Sequence, residues 1–185
     1  MLKKRELHEV PGLYDLMAHP AVFPYVRHKA YSSDELYFLT KQTIEAEAAG
    51  TMISRTITDD YLQPIGTINL FDVENNAGFL ATWIGEPYFG QGYNKLAKEL
   101  FLSELFTELG IETVFMKIRR TNVRSAKAAA KLPYAVPANH LYPDVYKAIN
   151  EREDVYDLFA ITKTAYAVCT NAQMETAVTG DEEVS

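Results

Sequence analysis

Between Trp83 and Lys95 the chain reads Trp-Ile-Gly-Glu-Pro-Tyr-Phe-Gly-Gln-Gly-Tyr-Asn-Lys, the stretch whose residue types could do chemistry. An apolar run ends, a loop bearing Gly90 and Gly92 follows, and a helical pattern begins near Asn94. Glycine lets a backbone turn through positive φ and come close to a ligand. The first N–H groups of a helix have no partner within it, and the helix dipole adds positive potential at that end. Together these make an anion site. Lys95 could add a charge, and a phosphate or pyrophosphate is the ligand that fits. An ordinary strand-to-helix turn remains open on spacing alone. Residue 95 is lysine, so the dinucleotide pattern GxGxxG is not met, and no Walker lysine pattern occurs.

Other chemistries find less support. His8, His19, His28 and His140 show no ligand spacing, and Cys169 is the only cysteine, so the pattern predicts no metal site and no intrachain disulfide. A single thiol suits a reducing cytoplasm. The basic start, Met1 to Arg5, runs into Glu6, His8 and Glu9 rather than into an apolar stretch, so a secretory signal is not expected. No apolar run nears the roughly 20 residues of a membrane helix. The net charge is -7, and Glu175, Asp181, Glu182 and Glu183 in the tail account for four of those charges. The remainder is mildly acidic, which argues against nucleic acid as the partner. The expected location is cytoplasmic, with no membrane partner.

The elements that must position the glycine loop follow from periodicity. Leu7, Val10, Leu13, Leu16 and Met17 have helical spacing, interrupted by Pro11-Gly12, and a loop rich in His, Pro and aromatics runs from His19 to Tyr31. Ser33, Asp34 and Glu35 open a helix that Gly50 ends. Met52–Thr58, Ile65–Val73 and Gly78–Gly85 read as strands, the last so apolar that burial on both faces is expected, and Glu74-Asn75-Asn76 is a hairpin signal. Asn94–Leu109 reads as a helix with Leu96, Leu100, Phe101, Leu105 and Leu109 on its core face. Glu112–Arg119 is a strand, Asn122–Leu132 a short helix, 135–153 irregular or partly helical, and Val155–Thr162 a last strand. The order predicts an α+β (mixed α/β) domain over 1–166, with a central twisted mixed sheet flanked by helices on both faces. An acidic tail is expected over 167–185.

Phe89-Gly90-Gln91-Gly92-Tyr93-Asn94 resembles the acetyl-CoA loop of the GNAT superfamily of acetyltransferases, usually written Gln/Arg-x-x-Gly-x-Gly/Ala. It is most similar to the ribosomal-protein N-terminal acetyltransferase branch, where aromatic-Gly-x-Gly-Tyr precedes the helix. Asn122-Val123-Arg124-Ser125 and Lys131-Leu132-Pro133-Tyr134 resemble that branch's Asn-x-Arg-Ser and Leu-Gly-Phe, and the closing strand with Asp157, Phe159 and Ile161 fits too. The similarity spans roughly residues 5 to 166.

The resemblance implies that acetyl-CoA is the cosubstrate, with no metal. Strands 78–85 and 112–119 would splay apart and hold the pantetheine arm against the backbone of Trp83 and Ile84. The pyrophosphate would meet the N–H groups from about Gly90 to Lys95. Phe89, Gly90, Gln91, Gly92, Tyr93, Asn94 and Lys95 are thus cofactor-binding candidates, with Asn122 on the cofactor arm and Ser125 near the thioester sulfur. Ser125 could protonate the departing thiolate, or be merely a small helix residue. Asn122 is also an apt helix N-cap. Tyr134 could donate a hydrogen bond in the site, or be a core tyrosine. The chain departs from the pattern at Asn94 and Pro133. It also departs at Phe79, where the branch often has a glutamate, and at Ala128 and Ala129, near which many GNAT enzymes place a tyrosine acid. No strong side-chain base is visible, so a water chain is the expected route for the proton, with Glu86, His28 or His140 as the alternatives. The expected reaction is acetyl transfer to a primary amine, either a protein N-terminus or a small polyamine, amino sugar or amino acid. A non-catalytic acyl-CoA sensor is the rival, and a homodimer is common among such relatives.

Overall fold

Four antiparallel strands, paired in sequence order, build the sheet of a first compact unit, Met1–Gly110: β1 (Leu2–Lys4), β2 (Ile53–Thr58), β3 (Pro64–Glu74) and β4 (Ala77–Ile84). The computed structural model describes residues 1–180, with side chains described through residue 171. Asn75 and Asn76 take φ of 50° and 59°, the left-handed pair that a two-residue hairpin turn needs, so the hairpin signal is met by β3 and β4. Helices α1 (Val10–Met17) and α2 (Ser33–Ala48) belong to the same unit. Pro11 does not interrupt α1, because it sits in the first turn, where its missing N–H costs nothing. Ser32 rather than Ser33 caps α2, its Oγ accepting from the Glu35 N–H at 3.1 Å.

The faces of this sheet differ in chemistry. Register pairs Ser54 with Asn69, Thr56 with Thr67, Asn69 with Ala81 and Thr67 with Trp83, so these residues share one face. Trp83 packs there against the buried cluster of Val10, Leu13, Met17 and Leu36 from α1 and α2. Ile68 and Leu70, fully buried, take the alternate face with Arg55. Arg55 makes a bidentate ion pair with Glu104 of helix α3 (Tyr93–Thr107) and a 2.7 Å contact to Glu47 of α2.

In the second unit, from Ile111 onward, β5 (Thr113–Arg119), β6 (Ala135–Pro137) and β7 (Tyr156–Thr162) pair antiparallel with β7 in the middle. Helices α4 (Val123–Ala130), α5 (Pro143–Ile149) and α6 (Lys163–Gly180) complete it.

Three expectations change. β4 is half-buried from Phe79 to Trp83 instead of buried on both faces, because its central residues line a cavity. The core face of α3 is Ala97, Phe101, Leu102, Leu105 and Phe106, whereas Leu96, Leu100 and Leu109 are exposed. The leucine pattern alone could not choose between two adjoining stripes. Helix α6 runs from Lys163 to Gly180 and so takes in much of the stretch read from sequence only as an acidic tail. The Ala165 N–H meets the Thr162 hydroxyl at 3.2 Å, and no glycine or proline intervenes before Gly180. Positions 181–185, with Asp181, Glu182 and Glu183, lie outside the described residues.

Candidate active site

β4 ends at Ile84, a 3-10 turn covers Glu86–Tyr88, and α3 starts at Tyr93. Gly90 and Gly92 have φ of 75° and 86°, and a Cβ built on either meets nothing within 4 Å. Conformation, not crowding, therefore selects glycine at both positions, and space is left in front of the loop. Gly92 is the N-cap of α3 and no side chain caps that end. The first intrahelical bond runs from Leu96 N–H to Gly92 O, so the N–H groups from Gly92 through Lys95 have no partner within the helix.

The rest of the loop is braced from within. Gln91 donates to the Pro87 carbonyl at 2.7 Å, and Tyr93 meets Tyr88 edge-on at 5.9 Å. Phe89 and Asn94 are exposed, as is Lys95, whose ammonium lies 3.8 Å from Glu99. Trp83 and Ile84 stand where β4 delivers the chain to this turn, and Ile84 is buried. The structure thus gathers all nine first-unit candidates into one strand-loop-helix segment: Trp83, Ile84, Phe89, Gly90, Gln91, Gly92, Tyr93, Asn94 and Lys95.

The other candidates lie in the second unit. Asn122 is the N-cap of α4, its Oδ1 accepting from the Ser125 N–H at 3.1 Å. Both are half-buried. Tyr134 is buried and meets Tyr166 edge-on at 5.1 Å. Tyr142 packs on Phe115 at 4.9 Å, and the Tyr146 hydroxyl accepts from Arg120 at 2.8 Å. His140 and Glu86 are exposed.

Sequence reasoning missed an open cavity of about 580 Å³ in the first unit. Its polar walls come from Arg5, Arg27, His28, Thr40, Thr67 and Asn69, and Ala81, Thr82 and Trp83 of β4 close one side. Asn69 donates to Thr67 at 3.2 Å and accepts from Ser54 at 2.5 Å, while Arg5 donates to Thr40 at 3.2 Å. His28 stands edge-on to Phe71 at 4.8 Å. The available signal was the alternation Thr67-x-Asn69 inside an otherwise apolar strand. Polar side chains at period two on a buried face mark a wet or liganded surface.

Among the described residues, one His-and-acid cluster, Glu6, His8 and Glu9, has the spacing to hold a cation. It is occupied by the Lys3 ammonium, which pairs with Glu6 and lies 2.9 Å from Glu9. No helix among the described residues is long and apolar enough to cross a membrane.

The profile of the acetyltransferase (GNAT) domain matches residues 1–134. No curated protein is significantly similar to the chain in sequence. Among solved structures, spermidine N-acetyltransferase from Vibrio cholerae in complex with CoA and spermine is similar at a TM-score of 0.72 and 15% identity, over 90% of this chain and 97% of that one. A nucleotide-linked sugar GNAT, apo FdhC, matches at 0.71 and 16%, over 95% and 92%. A structure described as a putative ribosomal-protein-serine acetyltransferase from Vibrio cholerae matches at 0.68 and 17%, over 87% and 92%. At such identities the likeness speaks to fold, and the profile match speaks to family. The glycine loop, the uncapped helix start and the matched domain agree: the chain has the mixed α+β GNAT fold and belongs to the GNAT acetyltransferases, enzymes that use acetyl-CoA.

Proposed function

We propose that the chain transfers the acetyl group of acetyl-CoA to a primary amine, and that its acceptor enters the cavity of the first unit. The observation that carries the cosubstrate assignment is the α3 start, with two left-handed glycines, no side-chain cap and open space before it. These residues fit a pyrophosphate, since N–H groups and the positive helix end face an anion without any side chain having to move. Acetyl-CoA supplies the acetyl group as a thioester, already activated toward an amine.

The chain's own residues bind, orient and move protons. Backbone N–H groups from Gly92 to Lys95 hold the pyrophosphate, with Phe89, Gly90 and Gln91 shaping the loop. Backbone at Trp83 and Ile84 takes the pantetheine arm and polarises the carbonyl. Asn122 holds the arm from the α4 cap, and Ser125 gives its hydroxyl proton or a hydrogen bond to the departing sulfur. Tyr134, buried against Tyr166, is a positioning residue just past the end of α4. A primary amine is mostly protonated near neutral pH and must lose that proton before attack. His28 is the imidazole on the cavity wall, and we assign it that proton.

Acceptors named for the structural neighbours include a polyamine, a nucleotide-linked sugar and a ribosomal protein. A wall of a few polar side chains, Arg5, His28, Thr40, Thr67 and Asn69, favours a small amine as the acceptor. The single cysteine supports a cytoplasmic setting, and exposed Tyr37 and Phe38 on α2 support a homodimer, which light scattering would measure.

The deciding experiment is calorimetry of acetyl-CoA with wild type and Gly92→Asp. A carboxylate at the α3 N-cap would satisfy the N–H groups itself and repel the pyrophosphate. Affinity is expected to fall at least about tenfold, or 1.4 kcal/mol. Unchanged affinity in a folded variant places the cosubstrate elsewhere. Binding without release of CoA in the presence of any amine would instead favour a sensor.

A further inference from the structure

Arg5 is the group in this cavity that the fold does not explain. Its Nε has no contact with solvent and no hydrogen-bond partner. Its one recorded hydrogen bond runs from Nη2 to the Thr40 hydroxyl at 3.2 Å. A guanidinium carries five N–H donors in a fixed fork, so most of this one's capacity is unused. Among the described residues no carboxylate lies within ion-pair distance of it. Glu9 acts on it only through space, and Glu9 is committed to Lys3, to the Thr56 hydroxyl at 2.6 Å and to the Glu6 N–H at 3.2 Å. Burial pulls the Arg5 pKa down, the mark of a cation short of solvation.

The surroundings supply no negative group. Arg27 and His28 line the cavity with Arg5, and no Asp or Glu does. Arg27 is paired outward with Asp72 at 2.6 Å and lies over the Phe71 ring at 4.3 Å. The remaining polar wall, Thr40, Thr43, Thr67 and Asn69, is neutral. A polycation entering here would meet the unpaired Arg5 guanidinium and no carboxylate on the wall. An anion would find an under-bonded fork of the kind that binds carboxylate or phosphate with two parallel hydrogen bonds.

We propose that the acceptor is a small amine bearing an anionic group, a carboxylate or a phosphate, and that Arg5 receives that group. The inference rests on the acetyl-transfer reading and on the cavity as the acceptor site. The anion balances the positive charge of the entering ammonium and fixes which end of the molecule enters first. Arg5 thereby sets specificity without touching the reacting atoms.

The test is a competition of matched acceptors. Acetyl-CoA and enzyme are incubated with a pool containing amino acids and their amides, glucosamine and glucosamine 6-phosphate, spermidine and spermine. Acetylated products are quantified by mass spectrometry. The expected result is that anionic members are acetylated with kcat/KM at least about tenfold above their neutral partners. The amino-acid and sugar-phosphate arms distinguish carboxylate from phosphate. Arg5→Gln should abolish the preference by raising KM for the anionic member, with acetyl-CoA affinity by calorimetry unchanged, and Arg5→Lys should restore part of it. Should Arg5→Gln fail to fold, Thr40→Val removes the one recorded hydrogen bond of the guanidinium and should weaken the preference. Products confined to neutral or cationic amines overturn the proposal, as does an anion preference that survives in folded Arg5→Gln. Wild type that binds no acetyl-CoA defeats the transferase reading itself, a separate outcome visible in the same calorimetry.

Discussion

Ser125 and Asn122 show how one short bond can serve structure and chemistry together. The Asn122 carboxamide oxygen accepts from the Ser125 N–H, so the cap occupies one end of the amide and leaves its NH₂ available. Ser125→Ala keeps that backbone bond and deletes only the hydroxyl. If the hydroxyl assists the leaving thiolate, kcat should fall about 10- to 100-fold, roughly 1.4 to 2.7 kcal/mol of transition-state stabilisation. Acetyl-CoA affinity should hardly change. A kcat within twofold of wild type under single-turnover conditions removes Ser125 from the mechanism. Glycines make a second contrast at this scale. Gly66 on β3 is excluded from bearing a side chain by crowding, since its Cβ would lie 2.2 Å from the Trp83 carbonyl oxygen. Gly92 is excluded only by its φ of 86°. Gly92→Ala should cost about 1–2 kcal/mol. Gly66→Ala should cost more than that, because β3 and β4 must separate to admit it. Urea denaturation of the two variants orders them, and a reversed order contradicts the assignment.

At the scale of elements, the first unit is joined by a buried cation. Arg55 on β2 is 5% exposed and bridges Glu47 of α2 to Glu104 of α3. Removing one member of such a network leaves charges without partners in a desolvated place, typically costing about 3–5 kcal/mol. Arg55→Met is expected near the lower figure, because Glu47 and Glu104 each keep some access to water. Thermal unfolding of Arg55→Met and Glu104→Gln checks it, and a loss under about 1 kcal/mol would show the network to be dispensable. Helix α3 also illustrates how an element can be predicted and its facing mistaken. Phe101 and Leu105 face inward as expected, yet Leu96, Leu100 and Leu109 are exposed and Ala97, Leu102 and Phe106 take their place in the core. Helical periodicity defines a stripe only to within about one residue's rotation of 100°.

For the whole molecule the sharpest expectation is linkage between ligand and stability. A cosubstrate that binds only the folded state at a hundred times its Kd adds about 2.7 kcal/mol. For a chain of this length that corresponds to a rise in Tm of roughly 5–10 °C. Acetyl-CoA should produce that rise in wild type and in Ser125→Ala, and lose most of it in Gly92→Asp. A rise that persists in Gly92→Asp would mean that the ligand stabilises the fold from another site.

The sequence by itself determined the elements and the glycine loop before α3, because both depend on local physics. Periodicity places strands and helices, Asn75-Asn76 and Gly90-Gln91-Gly92 demand left-handed backbone, and a helix start offers N–H groups wherever it lies. Fewer than fifteen consecutive residues, Trp83 to Lys95, carry the whole cosubstrate argument. Only tertiary structure showed the cavity proposed for the acceptor. Arg5, His28, Thr40 and Asn69 come from four separate parts of the first unit, and nothing in their spacing marks them as neighbours. Nor could the chain order show that Arg5 lacks a counter-ion, since Glu6 and Glu9 stand close by in sequence. In the fold both are taken by Lys3. Which charges cancel is a property of distances in space, and that is why the cosubstrate loop could be read from the chain while the acceptor's recognition could not.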